Sequence, residues 1–168
     1  MTINSTINRA SATGNGVTVA FTFPYLFLAD GDLKVYQAGV LKTITTHYTV
    51  TGAGNPAGGT VTFLVAPVNG ESIVILRDPP ATQLLDLVAN DSFPAEALES
   101  SLDKTAMLVQ RVIDIVQRSA QIPDTDVTGL LMMLPVAALR ASQYLSFDSS
   151  GNVITSPGTT SIPNVSSF

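Results

Sequence analysis

The chain has 168 residues, 45% hydrophobic and only 12% charged, with a formal net charge of −5 and no cysteine. That length suits one compact domain of roughly 90 residues with an extended appendage better than two full cores. The absent thiols exclude disulfides, zinc–thiolate sites and thiol catalysis, and the 8 Lys and Arg are too scattered to form a basic patch for nucleic-acid phosphates.

Residues 1 to 16 are polar and rich in Asn, Ser and Thr, and they read as an N-terminal arm that becomes ordered against a neighbour. The start, Met1 to Ser5, lacks the blocks of a signal peptide, and no apolar run reaches the ~18 residues of a membrane span. A soluble chain without a membrane partner is expected.

Residues 17 to 92 read as a β domain whose strand signals run from Val17 to Arg77. Val17 to Phe23 alternates until Pro24 ends it, and Asp30-Gly31-Asp32 marks a turn. Leu33 to Gln37 and Val40 to Thr45 flank Ala38-Gly39 as a hairpin. His47 to Thr51 makes a further strand, and Thr60 to Val65 is expected to pair with Glu71 to Arg77. Roughly five to seven short strands without intervening helices predict an antiparallel sandwich-like or partly closed barrel domain. Residues 81 to 92, with Leu84, Leu85, Leu87 and Val88, form a connector expected to lie against that domain.

The period then changes from two to three and a half. Pro94 to Ser119 predicts one long helix, capped by Asp91 or Ser92, with Pro94 in the first turn where its missing N–H breaks no helical bond. Early Glu96, Glu99 and Asp103 and late Arg111 and Arg118 complement the helix dipole. Placing Leu98 at position d gives the seam Leu98, Leu102, Thr105, Val109, Val112 and Val116 at positions a and d. Polar Asp103, Lys104, Gln110, Arg111, Asp114, Gln117 and Arg118 take the outward b, c and f positions, while Ala106, Leu108, Ile113 and Ile115 widen the apolar face into e and g.

Such a stripe can be buried on sister helices or on the chain's own sheet. About 38 Å of helix is more than a domain of this size covers, which favours self-association, and β-branched residues at a and d lean toward three or more strands. The six seam residues are therefore the expected interface of a homotrimer. Past residue 120, the apolar stretch Gly129 to Leu139 is broken by Pro135, and Tyr144 to Phe147 with Val153 to Thr155 predicts a small hairpin before a Ser/Thr/Pro-rich tail.

No motif carries chemistry. Gly52 to Ala57 loosely matches a dinucleotide loop, but strand-like Thr60 to Phe63 follows where a phosphate-binding helix is needed, so it reads as a hairpin loop. Asp124 to Gly129 begins like a calcium loop, yet Pro135 stands where its bidentate Glu belongs. His47 is the sole histidine, with no nucleophile near it in sequence, and Glu96, Glu99 and Asp103 share one helix rather than opposing each other across a sugar. No catalytic, cofactor-binding or metal-binding residue is assigned, and no enzyme activity is expected.

In order along the chain, Phe21 to Leu26, Asp32 to Tyr36, Tyr48 to Val50, Gly59 to Phe63, Pro67, Gly70-Glu71, Ile73 to Ile75 and Arg77 form a set, joined by Phe93 to Glu99 and Leu102 to Lys104. This ordered set resembles the N-terminal virion-anchoring domain of short-tailed phage tail fibres and tailspikes, the T-seven-type group, over about residues 17 to 119. The resemblance implies a homotrimer in the virion tail, assembled in the host cytoplasm, whose β domains dock on tail proteins and whose helices lead toward a fibre. No shaft repeats, β-helix or receptor-binding head are visible up to Phe168, so the expectation is an adaptor joining the tail to a separate fibre or receptor-binding protein through the C-terminal segment, residues 120 to 168. The alternatives are the N-terminal part of a longer receptor-binding fibre or depolymerase tailspike, and a C-terminal segment that itself grips a host glycan.

Overall fold

A computed structural model describes residues 3, 5–88, 92–126 and 132–157. Among them the order of elements is β1 (Arg9–Thr13), β2 (Ala20–Phe23), β3 (Leu33–Gln37), β4 (Val40–Lys42), β5 (Tyr48–Thr51), β6 (Gly59–Phe63), β7 (Ser72–Arg77), α1 (Ala95–Gln117), α2 (Ala137–Arg140), β8 (Gln143–Phe147) and β9 (Val153–Pro157). The chain divides into two compact units, Met1–Ile115 and Val116–Phe168.

In the first unit the strands form two antiparallel sheets, ordered β1-β7-β3-β4 and β2-β6-β5. Alternation decides which side chains point inward: Phe21 and Phe23 of β2, Tyr48 and Val50 of β5 and Val61 and Phe63 of β6 are buried. They share one core with Leu33, Val35, Ile73 and Ile75 of the other sheet. Phe21 meets Phe63 edge-on with ring centroids 5.6 Å apart, the geometry that aromatic quadrupoles prefer. The Tyr48 hydroxyl donates to the Leu33 carbonyl at 3.1 Å, tying the sheets together, and burial raises its pKa.

The predicted β3–β4 hairpin is present. Ala38 and Gly39 both have positive φ, 50° and 77°, as the two central residues of a type I′ turn require. At the start of β6 only glycine fits, because a Cβ on Gly59 would lie 1.9 Å from the Thr51 carbonyl oxygen.

Two expectations are corrected. Arg9–Thr13, expected in an arm that becomes ordered against a neighbour, are a strand of the chain's own sheet, paired with β7 from Arg9↔Leu76 to Thr13↔Ser72. β7 is a central, buried strand whose second edge of N–H and C=O groups needs partners, and the small polar residues of β1 supply them. Likewise β6 does not pair with β7; it lies between β2 and β5, while β7 lies between β1 and β3. The segment joining them does not close a hairpin but bonds to the N-terminal chain, with Gly16 donating to the Pro67 carbonyl at 2.9 Å and Gly70 to that of Gly14 at 3.0 Å.

Helix α1 starts and ends within a few residues of the predicted bounds, and the Leu98 amide bonds to the Pro94 carbonyl at 3.0 Å. Asp91, one of the two expected caps, lies outside the described residues, as do Gly129 to Leu131 of the apolar stretch before Pro135. In the second unit β8 and β9 form the predicted hairpin, with Tyr144 opposite Ser156. Its turn is organised by Asp148, whose Oδ1 accepts the Ser150 and Asn152 amides at 2.8 and 2.9 Å. The Asn152 side chain, its backbone and the neighbouring amides hold the Asp148 carboxyl below its usual range.

Candidate oligomerisation interface

Helix α1 has two faces with different fates. Asp103, Met107, Gln110, Arg111 and Asp114 are spaced by four, three, one and three, which places them on one stripe. This stripe docks on the chain's own β domain. Met107 is fully buried, and Asp103 is buried beside it with its Oδ1 accepting the Ile3 amide at 3.1 Å. Gln110 donates to the Ser5 carbonyl at 2.8 Å and accepts from the Arg77 guanidinium. Arg111 bridges Asp78 and Asp114, each at 2.9 Å, and Arg9 reaches Asp114 at 3.6 Å.

Arg77 is the hub of the contact. It ends β7, is 1% exposed, and donates to the carbonyls of Leu26 and Ile7 as well as to Gln110. Burial lowers its pKa, and the nearby Asp32 carboxylate opposes that shift by stabilising the charged form. Asp32 is itself buried, and its Oδ2 accepts the amides of Leu28 and Ala29 at 3.1 and 2.9 Å. A buried charge with a counter-charge and several hydrogen bonds fixes geometry more than it adds net stability. Burying the Met107 side chain contributes about 1.5–3 kcal/mol on its own.

The predicted seam lies on the other side. Leu102 is 62% exposed, Val109 52%, Val112 57% and Val116 47%; Thr105 is exposed as well and Leu98 is half-buried. Ile113 and Ile115 are also about half exposed, at 49% and 46%. The six seam residues thus share one face of one helix, and the N-terminal segment with the ends of β1 and β7 occupies the opposite one. The heptad pattern hides the docking residues, because b, c and f positions of a coiled-coil helix ordinarily face solvent. Their signal was Met107, an apolar side chain at position f among charged neighbours.

His47 is exposed at the β4–β5 turn, its Nδ1 3.2 Å from the Thr43 amide. Asp103, read as a capping charge, is buried against the arm and stands apart from Glu96 in the exposed first turn. Among the described residues no group of three His, Cys, Asp or Glu is placed to hold a metal, and no helix is long and apolar enough to cross a membrane.

No protein-family model matches the chain. It is similar to the tail spike protein of Salmonella phage epsilon15, with 38% identity over 117 residues, which is 67% of this chain. The chain spans only 11% of that protein's length. This similarity bears out the resemblance to phage tail fibres and tailspikes read from the ordered strand and helix motifs.

Proposed function

Starting from that kinship with a phage tail spike, we propose that the chain is a structural component of a phage tail, acting as a homotrimeric anchor or adaptor without enzymatic activity. One observation carries the trimeric part: the β domain takes the polar and Met107 face of α1, leaving Leu102, Val109, Val112 and Val116 open to water. A contiguous exposed stripe of this kind is typical of an interaction site rather than of a monomer's surface. With β-branched residues at a and d, three parallel helices cover it best. The three β domains, each clamped to its helix through Arg77 and Met107, then move with the bundle as one rigid head.

In this reading the β domains, a sandwich of the two sheets, engage tail proteins. The second unit presents three copies of the β8–β9 hairpin, with Tyr144, Leu145 and Phe147 more than half exposed, to a partner fibre or receptor-binding protein. Three weak contacts on one trimer gain by effective concentration. Deleting residues 144 to 168 is expected to leave trimers that enter tails but no longer carry the receptor-binding protein, scored by protein composition of purified particles. Particles lacking the truncated chain while the partner still binds it would reverse the assigned polarity. A second reading has its own support: the relative is far longer than the matched stretch, so the same module can serve as the anchoring part of a longer spike.

A further inference from the structure

The a/d seam does not account for all the apolar surface beside α1. Residues 81–88 run next to the helix, and between them lies a cavity of about 970 Å³. Leu84, Leu87 and Val88 line it from the connector, Phe93 from the helix approach and Leu108 from the helix. Lys104 pins the near end of the connector, its Nζ donating to the Thr82 carbonyl at 2.5 Å and hydroxyl at 3.1 Å. Yet Leu84 is 88% exposed and Phe93 71%, so the groove walls are held in place without being filled.

The position of the groove indicates what fills it. Its helix wall runs from Ala97 and Lys104 at c and Ser100 at f to Ser101 and Leu108 at g, and it ends on Thr105, a seam residue at d. The inner border of the groove therefore lies on the g edge of the seam, and in a parallel bundle the g edge of one helix faces the e edge of the next. That e edge commonly carries charge; here Glu99 is followed by Ala106 and Ile113, the latter 49% exposed. An apolar e edge needs an apolar cover, and the groove is one. The contact is heterologous, each copy offering one groove and one edge, and a three-fold rotation closes it with none left over.

We propose that the occupant of this groove is helix α1 of a second copy of the chain, entered by its e edge, so that residues 81–88 of each protomer strap the helix of its neighbour. The proposal rests on the trimeric reading above and names a part of the interface outside the coiled coil. It accounts for leucines that stand exposed on a connector anchored by Lys104.

The chain has no cysteine, so introduced thiols are unique. Leu87→Cys and Ala106→Cys chains of different length, co-expressed and treated with a short bismaleimide, are expected to join into a product containing both lengths, which can form only between protomers. Val112→Cys in the full chain serves as the seam control. Seam cross-linking without the 87–106 product would overturn the strap while leaving the trimer. Absence of both products, with a monomeric wild-type chain, would overturn the trimeric reading as well. Leu84→Ser/Leu87→Ser alters side chains largely exposed in the single chain, so it should leave the monomer's unfolding unchanged while weakening association at least about tenfold. Unaltered association in that variant would also contradict the strap.

Discussion

Replacing Val109 and Val112 together by Asp is expected to convert the proposed trimer to monomers without unfolding the β domain. Both valines are more than half exposed in the single chain, 52% and 57%, and neither belongs to the Met107 face. Exposed substitutions of this kind typically change monomer stability by less than about 0.5 kcal/mol. In a three-helix bundle the same substitutions place carboxylates from all three chains together in a desolvated seam, a penalty of at least several kcal/mol. Light scattering should therefore report the mass of one chain while the thermal transition of the β domain is retained. A variant that stays trimeric would place the interface elsewhere.

Arg77→Met should have the largest effect on the fold itself. The guanidinium satisfies Leu26, Ile7 and Gln110 and faces the buried Asp32, so its removal orphans carbonyls and leaves a carboxylate without its counter-charge. Breaking a buried charge pair from one side costs about 3–5 kcal/mol, and methionine offers no donor in return. Urea unfolding should report a free energy of unfolding lower by that amount, with a correspondingly lower midpoint, and α1 should detach from the β domain. Arg111→Ala is the contrast. Its partly exposed bridges to Asp78 and Asp114 are worth about 0–1 kcal/mol. Equal effects from the two substitutions would refute the placing of the hub at Arg77.

The parts of the fold governed by local rules were legible in the sequence. Alternation marked β2, β3, β5, β6 and β7, the Ala38-Gly39 pair marked its hairpin, and the heptad spacing marked α1 within a few residues. What local rules do not encode was missed. β1 carries Ser, Thr and Ala with no apolar alternation, and it is a strand because β7 has a free edge to satisfy. The partition of β6 and β7 into different sheets depends on long-range pairing, which a short Pro- and Gly-containing loop between two strands does not reveal.

The candidate interface divides in the same way. A repeating apolar spacing states which residues share a face, so Leu98 to Val116 could be picked out along one line. It does not state which face meets the chain's own domain. That choice came from Met107 and from the match of Asp103, Gln110 and Arg111 to the amide of Ile3, the guanidinium of Arg77 and the carboxylate of Asp78. Those partners lie far away in sequence and become neighbours only when β1 and β7 are paired. The groove beside residues 81–88 was hidden for the same reason, since the leucines of the connector carry no period that relates them to the helix.

The most direct test is the solution mass of the unmodified chain at micromolar concentration, by sedimentation equilibrium or light scattering. The trimeric account predicts a single species of about three times the 17.6 kDa of one chain. A single species of one chain mass would contradict it, because the exposed face of α1 would then be stable in water without a partner.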